Sequence, residues 1–184
     1  MSDKIGKIEV ISGCMSSGKS EELIRRLKRA QIAKLQVQIF KPLTEIVTDA
    51  GEKFRPDVIS SSSSKEILDK ISNNVDVIGI DEAQFYDMEI INVVRDISRK
   101  GVRVILAGLD MDFRGEAFGP MGNLMAIADE VTKLHAICMV CGKDATMTQR
   151  LINGRPANYS DPVVLIGALE TYEARCKEHH EVNK

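Results

Sequence analysis

The stretch Gly13-Cys14-Met15-Ser16-Ser17-Gly18-Lys19-Ser20 decides the fold class of this 184-residue chain. It matches the P-loop pattern, and it lies between a predicted strand at residues 7–11 and a predicted amphipathic helix at residues 19–34. Main-chain N–H groups of such a turn face a phosphate, and the start of the helix adds a partial positive charge. We therefore predict that this turn cradles a nucleotide, with Lys19 at the β- and γ-phosphates and Ser20 on Mg²⁺.

Strands alternate with helices on either side of this turn. Runs rich in β-branched residues at 37–40, 75–80 and 102–106 are predicted strands. Helices are predicted at 65–71, around the apolar repeat from Ile90 to Ile97, and at 122–128. Residues 43–64 show no clear period, so we interpret them as a surface loop. The alternation predicts an α/β fold with a parallel sheet flanked by helices, and together with the P-loop motif it resembles a P-loop NTPase (RecA-like) sheet.

The composition is that of a globular protein with a real core. Hydrophobic residues make up 43% of the chain, and the net charge of −2 lacks the basic excess typical of proteins that bind nucleic acid. The first apolar run is only a few residues long, so we expect no secretory signal, no membrane span and a cytoplasmic location. We predict two domains, a P-loop domain at 1–137 and a small metal-binding lobe at 138–184.

Two adjacent acids follow the apolar run at residues 77–80. Carboxylates at the carboxyl end of such a strand lie beside a bound Mg-nucleotide. Adjacent side chains on a strand point apart, so Asp81 is predicted to lie near the metal and its water shell, and Glu82 to face the acceptor of the phosphoryl group. The simpler alternative is that the pair begins the next helix, where acidic residues are favoured.

A metal site is predicted near the end of the chain. Cys138 and Cys141 form one closely spaced pair, and Cys176 with His179 repeats that spacing. Four such ligands suit a structural zinc ion with tetrahedral geometry, with His180 as a competing ligand for His179. The alternative is a set of free thiols in a buried turn.

With these motifs in view, the chain resembles the zinc-containing, type II thymidine kinases over residues 6–180. The matching motifs are Asp81-Glu82-Ala83-Gln84-Phe85, Ala107-Gly108-Leu109-Asp110-Met111-Asp112-Phe113-Arg114-Gly115, Phe118-Gly119-Pro120-Met121, Thr148-Gln149-Arg150-Leu151, and Ile166-Gly167 with Tyr172 and Cys176. The resemblance implies a lasso-like segment in the C-terminal lobe that closes over a nucleoside, with the lobe itself similar to a zinc ribbon.

The resemblance also implies roles for individual residues. Glu82 would be the general base that accepts the 5′-hydroxyl proton of thymidine, and deoxyuridine would be a further acceptor. ATP and Mg²⁺ would bind Gly13, Cys14, Met15, Ser16, Ser17, Gly18, Lys19, Ser20, Asp81, Glu82 and Gln84. The nucleoside would contact Met15, Phe85, Leu109, Phe113, Phe118, Thr148, Ile166, Gly167 and Tyr172. Family members are commonly homotetramers inhibited by the end product dTTP, so we expect both properties here.

Three departures from the family pattern stand out. Relatives usually have Pro at the position of Cys14 and an aromatic residue at the position of Ser16. They also carry an Asp-x-Arg-Tyr motif after the equivalent of Lys41-Pro42, and its acid helps to bind Mg²⁺. The nearest candidates for that acid are Glu45, Asp49 and Glu52.

Two other functions compete with the kinase hypothesis. A nucleic-acid-binding ATPase would use the P-loop to drive motion, but residues 107–121 lack the interleaved basic and aromatic side chains of a nucleic-acid channel. A regulatory protein could sense ATP without turnover, and the missing Asp-x-Arg-Tyr motif favours this alternative. Phosphorylation of a nucleoside from labelled ATP would separate the three hypotheses.

Overall fold

The computed structural model describes residues 5–42, 57–60, 62–164 and 170–184. Its centre is a six-stranded sheet with the order β3-β2-β4-β5-β1-β6. The strands are β1 (Ile8–Gly13), β2 (Val37–Pro42), β3 (Asp57–Ile59), β4 (Val77–Ile80), β5 (Arg103–Leu109) and β6 (Glu130–Leu134). All neighbouring pairs are parallel. The predicted parallel α/β sheet is therefore confirmed.

Helices cover both faces of this sheet. They are α1 (Lys19–Ile32), α2 (Glu66–Lys70), α3 (Ile90–Arg99) and α4 (Met121–Ile127), with a 3-10 turn at Ala83–Phe85. On one face, Leu23 and Leu27 of α1 pack with Ile11 of β1. On the other face, Val94 of α3 packs with Val10 of β1. Because adjacent residues of a strand point to opposite faces, one short apolar run supplies both cores. In the described part of the chain, no helix is long and apolar enough to cross a membrane.

A smaller antiparallel sheet follows the large one. It has the order β10-β9-β11, from β9 (Met147–Ile152), β10 (Arg155–Pro156) and β11 (Glu170–Arg175). Asn153 and Gly154 join β9 to β10 with φ values of 52° and 75°. Positive φ at both central residues of a two-residue hairpin is the reason for the Asn-Gly pair. A two-stranded ribbon of β7 (Ala136–Ile137) and β8 (Asp144–Ala145) stands beside this sheet. The division at residues 137 and 138 stays a prediction.

Two strands of the large sheet differ from the sequence prediction. Asp57–Ile59 falls in the stretch interpreted as a loop, yet it pairs in parallel with residues 40–42 of β2. A three-residue strand is too short to show a side-chain period, and backbone pairing alone makes it a strand. Glu130–Leu134 was not predicted as a strand because it is polar and partly exposed at the sheet edge.

A buried carboxylate ties four elements together beneath the P-loop. Glu9 of β1 is only 2% exposed. It accepts hydrogen bonds from Arg26 of α1 at 2.7 Å and from Arg103 of β5 at 2.8 Å. Arg26 in turn donates to Thr132 of β6 at 2.8 Å. A charge buried this deeply needs such partners, and here they hold the helix after the P-loop against three strands.

Candidate active site

The P-loop leaves the sheet at the end of β1. A Cβ atom added to Gly13 would lie 2.5 Å from the carbonyl oxygen of Leu134, so only glycine allows this close approach of β6. The Lys19 ammonium donates to the carbonyl oxygen of Cys14 at 2.8 Å. Burial lowers the pKa of Lys19 below its usual value, and the negative charge of Glu82 opposes that change. The predicted strand, turn and helix are therefore present, with the lysine inside the turn.

Ser20 and Asp81 bring two oxygen groups together beside the P-loop. The Ser20 hydroxyl lies 3.1 Å and 3.2 Å from the two carboxylate oxygens of Asp81. Burial raises the pKa of Asp81, and the charge of Glu82 raises it further. Hydroxyl and carboxylate oxygens are ligands that Mg²⁺ prefers. The arrangement fits the sequence prediction that Asp81 lies on the metal side.

Glu82 has a different side-chain partner from Asp81. Its backbone has φ 51° and ψ 42°, in the left-handed region. That conformation costs a residue with a Cβ atom about 1 kcal/mol. The Gln84 amide donates to the Glu82 carboxylate at 2.6 Å, and its own oxygen accepts from the N–H group of Leu109 at 3.0 Å. Gln84 thus fixes the carboxylate to the end of β5.

The three candidate pocket phenylalanines lie in two different environments. Phe85 and Phe118 are half-buried and form an edge-to-face pair with centroids 5.5 Å apart. Phe113 is 3% exposed, and the guanidinium carbons of Arg114 and Arg150 lie 5.4 Å and 5.1 Å from its ring centroid. Of the three rings, Phe85 and Phe118 offer more accessible surface to a planar ligand, whereas Phe113 already packs against cations.

The cysteines and histidine predicted as metal ligands form a cluster. Cys138, Cys141, Cys176 and His179 place one ligand atom each within 4.8 Å of the others. The Sγ atoms of Cys141 and Cys176 are 3.8 Å apart, and His179 Nδ1 lies 3.1 Å from Cys176 Sγ. Two sulfurs on a tetrahedral zinc ion are also separated by about 3.8 Å, given the usual Zn–S distance. The four ligand atoms fit a zinc ion.

His180, the competing candidate, has a different partner. Its Nε2 atom lies 2.8 Å from the carbonyl oxygen of Phe113. The ring therefore belongs to the contact between the lobe and the loop after β5. This contact favours His179 over His180 as the fourth ligand.

A family model described as thymidine kinase matches residues 6–180, nearly the whole chain. The chain belongs to the thymidine kinase family. It is accordingly an ATP-dependent phosphotransferase that acts on thymidine. The cysteine and histidine cluster fits the zinc-containing type, which confirms the resemblance stated from the sequence. The match favours this activity over the nucleic-acid-binding ATPase and the ATP sensor.

Thr148 of this thymidine kinase contacts the P-loop. Its hydroxyl oxygen accepts from the N–H group of Met15 at 3.1 Å, and its side chain is buried. Both residues were predicted for the nucleoside pocket, so the structure brings these two together at the boundary between the phosphate turn and the small sheet. Tyr172 is 39% exposed, and its hydroxyl donates to Glu170 at 2.9 Å.

Asp112 orders the loop after β5, although the sequence analysis gave it no role. Its Oδ1 atom accepts from the N–H groups of Arg114 at 2.8 Å and Glu116 at 3.1 Å. The N–H group of Phe118 donates to the carbonyl oxygen of Asp110 at 3.0 Å, which closes the loop. An aspartate at the start of a glycine-containing turn often makes such bonds, and that signal could have identified it.

Several candidates lie outside the described residues. These are Ile166 and Gly167 of the predicted nucleoside site, and Glu45, Asp49 and Glu52, the candidates for the missing Mg²⁺-binding acid. Their roles stay predictions.

Proposed function

We propose that the enzyme transfers the γ-phosphoryl group of ATP to the 5′-hydroxyl of thymidine, with Glu82 as the general base. The product would be dTMP, made in deoxynucleotide salvage, and deoxyuridine would also be accepted. The observation that supports this proposal most is the placement of Glu82. Its carboxylate is near enough to influence the pKa of Lys19 and of Asp81, and Gln84 binds it at 2.6 Å.

The roles of the phosphate-binding groups follow from their charges. The ATP phosphates would rest on the main chain of residues 13–20, with Lys19 near the β- and γ-phosphates. Ser20 and Asp81 would hold Mg²⁺, which offsets the charge that develops on the transferred group. Glu82 would then accept the proton of the 5′-hydroxyl as its oxygen attacks the γ-phosphorus.

The thymine base would lie near the paired rings of Phe85 and Phe118. Aromatic faces stack well on a flat base, and these two rings are only half-buried. Gln84, the residue before Phe85, binds both the Glu82 carboxylate and the N–H group of Leu109. The proposal thus connects the base subsite to the general base through one buried glutamine.

Two further properties are proposed from family membership. We expect a homotetramer, which size-exclusion chromatography with light scattering would measure. We also expect inhibition by dTTP, the end product of the pathway, and steady-state assays with increasing dTTP would measure it. A structural zinc ion on Cys138, Cys141, Cys176 and His179 would stabilise the lobe that covers the nucleoside.

A panel of nucleosides incubated with labelled ATP tests the proposed reaction. Thymidine and deoxyuridine should become labelled at the 5′ position. The Glu82→Gln variant should lose at least about 100-fold in kcat, because a general base contributes on that order, while its affinity for ATP is retained. Glu89→Gln is the matched control, since the Glu89 side chain is 40% exposed and its partners are the exposed Lys65 and the nearby Asn92. Wild-type kcat in Glu82→Gln would disprove the role of Glu82.

A further inference from the structure

Arg150 is the largest fully buried side chain among the described residues, with 0% exposure. It lies in the middle of β9, directly opposite Tyr172 of β11. Arginine is almost never fully buried unless it is paired. The groups that contact the Arg150 guanidinium therefore indicate its role.

The Arg150 guanidinium contacts three groups from different segments. Its Nε atom lies 3.0 Å from the Glu170 carboxylate, and its Nη1 atom donates to the carbonyl oxygen of Pro162 at 2.5 Å. Its central carbon lies 5.1 Å from the ring centroid of Phe113. Glu170 also accepts from the Tyr172 hydroxyl at 2.9 Å. One cation thus links two candidate nucleoside-pocket residues, Phe113 directly and Tyr172 through Glu170.

The bonding of this pair is incomplete. Among the described residues, Arg150 Nε, Arg150 Nη2 and Glu170 Oε1 are buried atoms with no hydrogen-bond partner, so the Nε contact with Glu170 is an ion pair only. A buried ion pair is often replaced by apolar residues of similar size with no loss of stability. Stability alone is therefore a weak reason for a buried arginine here. Orientation of its neighbours is a better explanation for a buried arginine. The planar guanidinium stacks on one ring and binds one carboxylate, and these contacts set the directions of those side chains.

We propose that Arg150 is a positioning residue for the acceptor nucleoside, which holds the Phe113 ring and the Glu170–Tyr172 pair in the arrangement that binds it. This inference rests on the proposed function and on the contacts to the nucleoside that the family resemblance implies for Phe113 and Tyr172. Arg150 acts through these residues and takes no part in phosphoryl transfer. Its loss should therefore weaken nucleoside binding far more than ATP binding.

Two variants separate positioning from a purely structural role. Arg150→Lys keeps the charge but loses the planar fork and the stacking surface. The double variant Arg150→Met with Glu170→Met removes both charges, so it leaves no unpaired buried ion and should remain folded. Arg155→Met is the matched control, because Arg155 is an exposed residue of the neighbouring strand β10.

The measurements are KM for thymidine, KM for ATP, kcat, zinc content and thermal midpoint for each full-length variant. We expect KM for thymidine to rise at least tenfold in Arg150→Lys and in the double variant, with KM for ATP within twofold of wild type and zinc content unchanged. The control should match wild type in every measurement. If the double variant does not fold, Arg150→Lys decides the question by itself.

A normal KM for thymidine in Arg150→Lys would overturn the proposal, even if the thermal midpoint falls. Phe118→Ala distinguishes this failure from failure of the proposed function. If Phe118→Ala raises KM for thymidine while Arg150→Lys does not, the pocket stands and the role of Arg150 is wrong. If wild type does not label the 5′ position of thymidine, or Phe118→Ala changes nothing, the proposed function itself fails.

Discussion

The Cys14 thiol of the P-loop donates a hydrogen bond to the carbonyl oxygen of Ala145 in β8, at a distance of 3.3 Å. Cys14 is 1% exposed and packs in one small cluster with two of the candidate zinc ligands, Cys138 and Cys176. Burial raises the pKa of the Cys14 thiol, which keeps it protonated and able to donate. The turn proposed to receive the nucleotide phosphates is therefore packed on the part of the molecule that holds the cysteine and histidine cluster.

Removal of zinc should weaken ATP binding as well as destabilise the lobe. We expect a loss of about fivefold or more in ATP affinity after treatment with a chelator, measured by calorimetry on the metal-free protein. Linkage is reciprocal, so saturating ATP should raise the affinity for zinc by the same factor, measured by equilibrium competition with a coloured chelator. Unchanged ATP affinity in protein shown to be free of zinc would contradict this prediction.

Glu9 should be important for stability in a pH-dependent way. Burial alone would raise the pKa of Glu9, but hydrogen bonds from Arg103 and Arg26 outweigh it and lower the pKa below its ordinary value of 4.5. The contribution of the Glu9 charge to the free energy of unfolding is therefore complete above pH 4.5. It is lost as the pH falls through the lower pKa that Glu9 has in the folded state. Glu9→Gln should reduce the free energy of unfolding by about 3 kcal/mol at neutral pH, measured by urea denaturation.

The control for Glu9 is Glu130→Gln. Glu130 is 44% exposed, and its ion pairs with Lys7 and Arg26 lie at the surface. Its loss should cost less than about 1 kcal/mol. A difference between wild type and Glu9→Gln that stays constant from pH 7 to pH 3 would show that the charge of Glu9 is not responsible.

Mg²⁺ should compete with protons at Asp81. The pKa of this carboxyl is raised above its ordinary value of 3.8 by burial and by Glu82. At limiting Mg²⁺ the acid limb of activity should therefore appear at a higher pH than at saturating Mg²⁺. Asp81→Asn should need at least about tenfold more Mg²⁺ for half-maximal activity, the loss of one charged ligand costing on the order of 1.4 kcal/mol. Asp96→Asn, on the exposed face of α3, should behave as wild type.

Gln84 should control the efficiency of Glu82. Gln84→Leu frees the Glu82 carboxylate and leaves the buried N–H group of Leu109 without its bond from the side chain. We expect kcat to fall about tenfold or more, because an unsatisfied buried group costs about 1–3 kcal/mol and the base loses its fixed direction. Affinity for ATP should stay unchanged in equilibrium binding. A kcat equal to that of wild type would show that Glu82 is oriented by other contacts.

The sequence predicted those parts of the molecule that are determined by residues close together in the chain. The P-loop, the strands flanking it and the paired spacing of Cys138, Cys141, Cys176 and His179 depend on residues close together in the chain, and the structure has them in place. His180 could not be separated from His179 in this way. What separates them is the contact of His180 with Phe113, which is 67 residues away in the chain.

Other features could not be predicted because they arise only from tertiary contacts. The sequence around Arg150 does not indicate that its side chain is fully buried. The partners that bury it come from three other segments of the chain. The left-handed backbone of Glu82 is equally unexpected for a residue with a Cβ atom. Both deviations occur beside proposed functional groups, where a local preference is most often overridden.

The position of β5 between β1 and β4 determines how far the P-loop lies from Asp81 and Glu82. Two strand spacings amount to about 10 Å, and they are fixed by main-chain hydrogen bonds rather than by side chains. In the proposed site, substitutions of Phe85 or Phe118 would consequently alter which alcohol is bound without changing the separation between the phosphate donor and the base. Acceptor choice and phosphoryl-transfer geometry would then be independent of each other.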